Sequence, residues 1–194
     1  MGPSQVSVRA VDVDVPSDVR SLADLWAESR PAPRGHHGSR GDVVTGLAQA
    51  LRRDQVDAFV AAVEGVDVGF VVLSRGPLLP LLDDPTVAIE HLYVREDARR
   101  QGVGRALIAR ATTFAEQGGA NQISTSVPAA GRDGQRFFAR LGFSPFVVRR
   151  VASVSALRRR LVPEPCLARD ATVLRRRSLR ARSRAVGLRA SSGI

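Results

Sequence analysis

The chain of 194 residues contains no lysine, so arginine carries every basic side-chain charge. It has one cysteine, Cys166, which excludes an internal disulfide and fits a reducing compartment. Aromatic residues make up only 5% of the chain, with one tyrosine and one tryptophan. Long apolar runs are missing too. The most apolar stretch, FVAAVEGVDVGFVVLS, is broken by Glu64, Gly65 and Asp67, which rules out a membrane span there. The opening MGPSQVSVRAVDVDV has no basic region followed by an apolar one. No secretory signal and no transmembrane segment are therefore expected, and a cytoplasmic location fits.

What is present suits one globular domain with a tail: 44% apolar and 25% charged residues, in a chain long enough to bury a core. The charge of +10 is unevenly placed. Residues 151–194 hold 11 arginines against two acids, Glu164 and Asp170, while the preceding 150 residues are nearly neutral at +1. The placement of the arginines carries more information than their identity. The expected division is a folded domain over 1–160 and an Arg-rich C-terminal extension over 161–194.

Periodicity orders the elements. Residues 6–15 alternate valine with polar residues, as a half-buried strand does. Ser17 is positioned to cap a helix over 18–29 with Val19, Leu22, Leu25 and Trp26 on its apolar stripe. Residues 31–42 read as a loop, 43–53 as a helix, and DAFVAAVE with VGFVVLS as a hairpin around Glu64 to Asp67. A proline-rich connection over 75–85 leads to a strand over 86–94. A helix from Gly102 to about Gln117 follows, then a strand over 121–127, a short helix ending near Gly142, and one or two final strands in FVVRRVASVSAL.

The chemistry concentrates in VREDARRQGVGRALIAR, where a strand gives way to two glycines that open a helix. It is not a Walker A loop, because no G-K-[S/T] follows. It is not a dinucleotide fingerprint either, because Leu107 stands where a small residue is needed. Arg99-Arg100-Gln101-Gly102-Val103-Gly104 does fit the scheme [Q/R]-x-x-G-x-[G/A]. A helix start leaves backbone N–H groups unpaired, with partial positive charge from the macrodipole. Glycines let a diphosphate approach those groups, and Arg99, Arg100 and Arg105 add charge.

From LYVRED through RRQGVGRALIARA, and again at FFARLGF, the sequence resembles the GNAT superfamily of acetyl-CoA-dependent N-acetyltransferases. The resemblance covers about residues 6–160. It implies an α/β (α+β) GNAT fold: a central mixed, mostly antiparallel sheet of about six to seven strands flanked by about four helices, with the basic tail appended. It further implies acetyl-CoA as co-substrate and an amine of a small molecule or protein as acceptor, with no metal. The diphosphate would lie over Arg99, Arg100, Gln101, Gly102, Val103, Gly104 and Arg105. The backbone of Leu92, Tyr93 and Val94 would hold the pantetheine arm like an added strand, beside a splay between the strands at 86–94 and 121–127. The N–H of Val94 would serve the oxyanion.

At the catalytic positions the chain departs from the family pattern. Phe138 stands where a tyrosine acid is usual, Gly131 where an asparagine is common, and Ser126 where an acidic residue is frequent. Glu90 is the carboxylate placed to act as base, the alternative being an ordinary exposed strand residue. Ser126 or a water would replace the missing acid. The rival function is a catalytically weak or silent CoA-binding module, tethered by its Arg-rich tail to a nucleoprotein, nucleic acid or acidic protein.

Other residues carry less. His36 and His37 adjoin in a loop that could reach an acceptor, but no third ligand at metal spacing accompanies them. Asp83 and Asp84 could attract a cationic amine or simply be solvated. Trp26 reads as core packing, and Cys166 lies outside the resembling region. The tail, basic with few aromatics, suits contact with nucleic-acid phosphates, the ribosome, an anionic membrane surface or an acidic protein, without sequence-specific readout.

Overall fold

A computed structural model describes residues 5–30, 40–79, 84–128 and 130–161. Strands β2 (Val56–Val63) and β3 (Val66–Pro77) form the predicted hairpin. Glu64 and Gly65 connect them at φ 51° and 81°, both positive as a type I′ turn requires, so the strand twist continues through the turn. Strand β1 (Val6–Ala10) pairs antiparallel with β2, and β4 (Pro85–Val94) pairs antiparallel with β3. Strand β5 (Gln122–Thr125) runs parallel to β4, a pairing that needs a crossover, and α3 (Val103–Gln117) supplies it. The sheet order is β1-β2-β3-β4-β5.

The two faces of the sheet follow from alternation along the strands. Ala58, Val60 and Phe70 point to one face and meet Leu22 and Leu25 of α1 (Pro16–Ser29) in a buried cluster. Leu47 and Leu51 of α2 (Arg40–Leu51) pack against the same cluster. Phe59 points to the other face and meets Phe114 of α3 edge-on at 5.7 Å. Helix α3 buries Val103, Leu107, Ile108, Ala111, Phe114 and Ala115, and it packs across all five strands. Burial of a side chain such as Leu107 or Phe70 contributes about 1.5–3 kcal/mol. Arg75 and Arg110 lie over the Phe114 and Phe59 rings, at 4.3 and 4.6 Å from the centroids. Their guanidinium groups flank the edge of this layer.

Several element boundaries differ from sequence expectation; for example, α2 begins at Arg40 and β3 runs on to Pro77. The alternation of residues 6–15 persists through Val15, but the strand stops at Ala10, because the Asp12 carboxylate accepts the Asp14 N–H at 2.9 Å and turns the chain. Helix α1 begins at Pro16, whose fixed φ and missing N–H suit a first helical position, so Ser17 lies inside the first turn and caps nothing. The described residues hold five strands, fewer than expected. FVVRRVASVSAL adds none: 143–153 form no strand, and 154–161 form α5 (Val154–Leu161). Ser153 initiates α5, its Oγ accepting the Ala156 N–H at 3.2 Å and its carbonyl the Leu157 N–H at 3.0 Å.

The sheet and α1 to α3 belong to a compact unit ending at Phe138, and a second unit begins at Ala139, within α4 (Arg132–Arg140). Among the described residues no helix is long and apolar enough to cross a membrane. The tail beyond Leu161 lies outside the described residues.

Candidate active site

Between β4 and α3 the chain passes through a 3-10 turn at Glu96–Ala98 and then doubles back on itself. Arg100 has φ 65° and Gly102, the residue capping α3, has φ 86°. A side chain at Gly102 would meet no neighbour within 4 Å, so its glycine is required by conformation and not by crowding. Arg100 has no such freedom and holds a left-handed conformation that costs about 1–2 kcal/mol. The first ladder bond of α3 joins the Ala106 N–H to the Gly102 carbonyl at 2.9 Å, leaving the N–H groups of Val103, Gly104 and Arg105 ahead of it. Left-handed residues beside a helix start form a concave set of N–H donors suited to an anion.

The side chains around this loop separate into ties and free charges. Arg99 donates from Nε to the Val94 carbonyl at 3.2 Å and pairs with Glu96 at 3.5 Å. Gln101 donates to the Asp97 carbonyl at 2.9 Å. Arg100 and Arg105 are exposed, and among the described residues neither forms an ion pair. Gly104 has a different reason from Gly102. A Cβ there would come within 3.3 Å of the Phe137 ring.

In place of a splay between two long strands, β5 is short and β4 outruns it. Pairing of β4 with β5 ends at Ile89↔Thr125, where the Thr125 hydroxyl donates to the Ile89 carbonyl at 3.3 Å, while β4 runs on to Val94. The pleat then sorts the backbone groups beyond this point. The Arg95 N–H donates to the Val68 carbonyl on β3, and the Tyr93 carbonyl also faces β3, where a Cβ on Gly69 would stand 2.7 Å from it. By alternation the backbone groups of Leu92 and Val94 turn to the open side, and Tyr93 does not share that direction.

Glu90 occupies a β-bulge. The β3–β4 register passes from Val72↔His91 to Leu73↔Ile89, which leaves Glu90 with no residue opposite it. The Ser74 hydroxyl donates to Glu90 Oε1 at 2.6 Å. The Trp26 indole lies 4.3 Å from the His91 ring and 5.8 Å from Phe70. Glu90, His91 and Tyr93 thus line the α1 face of the sheet, and Tyr93 is 5.9 Å from Phe70.

Two of these groups titrate away from their ordinary values. Burial lowers the His91 pKa, with Glu90 opposing and Arg30 assisting, so the imidazole is neutral near pH 7. Burial raises the Tyr93 pKa, assisted by Glu28 and opposed by Arg99 and Arg95, so its phenol keeps its proton.

Ser126 is exposed one residue past the end of β5. Phe138 is buried and meets Phe137 edge-on at 5.2 Å. Gly131 sits at the start of α4, where a Cβ would lie 3.2 Å from the Pro128 carbonyl. That backbone contact is a local reason for glycine where the family commonly has asparagine. Asp84 is exposed, its carbonyl accepting the Thr86 hydroxyl at 3.3 Å. Trp26 packs on the buried cluster as expected, though its ring also meets His91. His36, His37, Asp83 and Cys166 lie outside the described residues. Sequence reasoning missed Ser74 and His91. The adjacency of Glu90 and His91 was the available signal, but only the register shift turns both to one face.

Comparison with known proteins identifies the family and the fold. The acetyltransferase (GNAT) family profile matches residues 19–143. An aminoglycoside N(6')-acetyltransferase type 1 of Serratia marcescens is 31% identical over 126 residues, 62% of this chain and 84% of that protein. An uncharacterized N-acetyltransferase of Methanocaldococcus jannaschii is 30% identical over 93 residues, covering 48% of this chain and 41% of that one. Among solved structures, an aminoglycoside N-acetyltransferase in complex with CoA superposes with a TM-score of 0.65 at 19% identity, over 77% of this chain and 95% of that one. A ribosomal-protein-alanine N-acetyltransferase from Brucella melitensis gives 0.62 at 22% identity, over 76% and 98%. The structural likeness speaks to the fold and the sequence match to the family, and this chain belongs to the acetyltransferase (GNAT) family of N-acetyltransferases.

Proposed function

We propose that the chain moves an acetyl group from acetyl-CoA to an amine by direct attack, with Glu90 as base. The observation that carries this reading is the conjunction of three features along one strand. The bulge at Glu90, the open backbone at Leu92 and Val94, and the anion-suited loop at 99–105 follow one another in order. That order matches a long substrate with a reactive thioester at one end and a diphosphate at the other.

The N–H groups of Val103, Gly104 and Arg105, with the side chains of Arg100 and Arg105, would hold the diphosphate. Leu92 would bind the pantetheine arm through its backbone, because the Val94 carbonyl already accepts from Arg99. When bound, acetyl-CoA supplies an acetyl group already activated as a thioester. Glu90, kept in place by Ser74, would take a proton from the acceptor, because only a neutral amine attacks. The Val94 N–H would face the oxyanion. Ser126 or water would protonate the departing thiolate. Phe138 has no proton to give, and this favours the one rival reading, a module that binds acetyl-CoA without turnover.

The names of the relatives suggest which acceptors to try first: an aminoglycoside and a peptide with an N-terminal alanine. Calorimetry of acetyl-CoA binding, beside a Gly102→Val variant that disfavours the positive φ of the loop, tests the co-substrate site. Thiol release across the amines, with Glu90→Gln, tests the base. Binding without release from any amine would leave the rival reading standing. No binding at all would sink both. We assign transfer to residues 1–160 and polyanion contact to 161–194. If so, truncation at Leu161 abolishes salt-sensitive binding to RNA or an acidic protein and leaves acetyl-CoA affinity unchanged.

A further inference from the structure

The bulge does more than expose a carboxylate. An ordinary strand sends successive side chains to opposite faces, so Glu90 and His91 would be separated by the sheet. Here both are turned to the α1 face. Ser74, Phe70 and Val72 share one face of β3, where Ser74 holds Glu90 while Trp26, packed on Phe70, covers His91. Two protonatable groups therefore stand side by side at the point where β4 leaves β5.

Their freedom differs. Glu90 Oε1 accepts from Ser74 at 2.6 Å, which commits one carboxylate oxygen and fixes the group's direction. The His91 ring meets Trp26 in a tilted contact, with 36° between the ring planes, and it remains exposed overall. A hydrogen bond to the Glu90 backbone engages one ring nitrogen, which leaves the second to take a proton. The charged groups facing His91 are Glu90 on its own strand and Arg30 at the end of α1. Burial outweighs Glu90 and lowers the pKa of the ring below its ordinary value.

We propose that His91 is a catalytic residue that takes the proton from the incoming ammonium, while Glu90, anchored by Ser74, binds that ammonium and steadies the imidazolium formed. This rests on the transferase reading above and reassigns the base within it. In the first step an N–H bond of the ammonium breaks and the imidazole gains the proton, which passes to solvent. The neutral amine then attacks the thioester carbon, the C–N bond forms and the C–S bond breaks. The second proton lost by nitrogen ends on the leaving thiolate.

The test is the pH profile of kcat and KM for thiol release from acetyl-CoA. The acceptors are an aminoglycoside, an alanyl peptide, spermidine and phenethylamine. The wild-type chain is compared with His91→Gln, His91→Ala and Glu90→Gln. Loss of the base is expected to lower kcat about 10²-fold in both His91 variants and remove the acidic limb of the profile. Free imidazole should restore part of the rate to His91→Ala, and Glu90→Gln should chiefly raise the acceptor KM. Calorimetric affinity for acetyl-CoA should be unchanged in all three, which guards against misfolding. Wild-type turnover with His91→Gln keeping both kcat and the acidic limb would overturn the assignment and leave the transferase reading intact. No turnover by the wild type with any amine would overturn the transferase reading, and this assignment with it.

Discussion

The Phe137 ring lies where a side chain on Gly104 would go, with its Cζ atom 3.3 Å from an ideal Cβ. The two glycines of Gln101-Gly102-Val103-Gly104 thus exist for different reasons. Gly102 supplies a positive φ in open space, whereas Gly104 admits the ring of an α4 residue against the first turn of α3. The concave loop and the helix that braces it are built by the same short stretch.

Gly104→Val should therefore act through Phe137. Overpacking at this contact is expected to destabilise the chain by about 1–3 kcal/mol in urea unfolding. In a Phe137→Leu background the same substitution should cost less, with a coupling of at least about 0.5 kcal/mol. Strict additivity of the two changes would show that the ring is not what excludes a side chain at Gly104.

Gly69 faces a harder boundary. A Cβ there would stand 2.7 Å from the Tyr93 carbonyl, a backbone atom in the β3–β4 ladder that cannot swing aside. Gly69→Ala is expected to cost about 1–3 kcal/mol, despite adding a single methyl group. Thermal unfolding of Gly69→Ala beside Gly76→Ala provides the control, because Gly76 on the same strand has nothing within 4 Å. Equal losses at the two positions would refute the explanation.

Much of the fold could be read from local pattern. The Glu64-Gly65 turn between two apolar runs, the apolar stripe of α3 and the strand–loop–helix order around Gly102 each depend on residues close in sequence. What could not be read depends on pairing register and competing side-chain bonds. Alternation through Val15 gave no sign that the Asp12 carboxylate would end β1, and FVVRRVASVSAL resembles a strand until Ser153 caps a helix. The site divides in the same way. The loop at 99–104 is a motif, but the partnership of Ser74, Glu90 and His91 exists only because one residue of β4 has no counterpart on β3.

Arg100 offers a prediction with opposite signs. Its φ of 65° is unfavourable for a side chain with a Cβ, while its guanidinium faces the loop's open surroundings. Replacement by glycine relieves about 1–2 kcal/mol of strain, partly offset by about 0.4–1 kcal/mol of added chain entropy when unfolded. Arg100→Gly should thus unfold at the same or slightly higher urea concentration and bind acetyl-CoA more weakly. A clear loss of stability would show that Arg100 makes a structural contact that its conformation does not reveal.

The His91 environment gives stability a pH dependence of definite sign. Its pKa in the folded chain is lower than the ordinary value of about 6.5 that it regains on unfolding. Between those two values the unfolded chain binds more protons, so stability rises with pH through that window. The contribution is fully present above about pH 6.5 and is lost as the solution is acidified through the folded-state pKa. Glutamine at this position cannot titrate. The stability difference between the wild-type chain and His91→Gln should therefore shift against the wild type as pH falls from about 7.5 to about 5.5. Urea unfolding at both pH values measures it, with His36 and His37 present in both chains and cancelling. A difference that stays constant would mean that Trp26 does not desolvate the imidazole, and that Glu90 offsets whatever burial takes away.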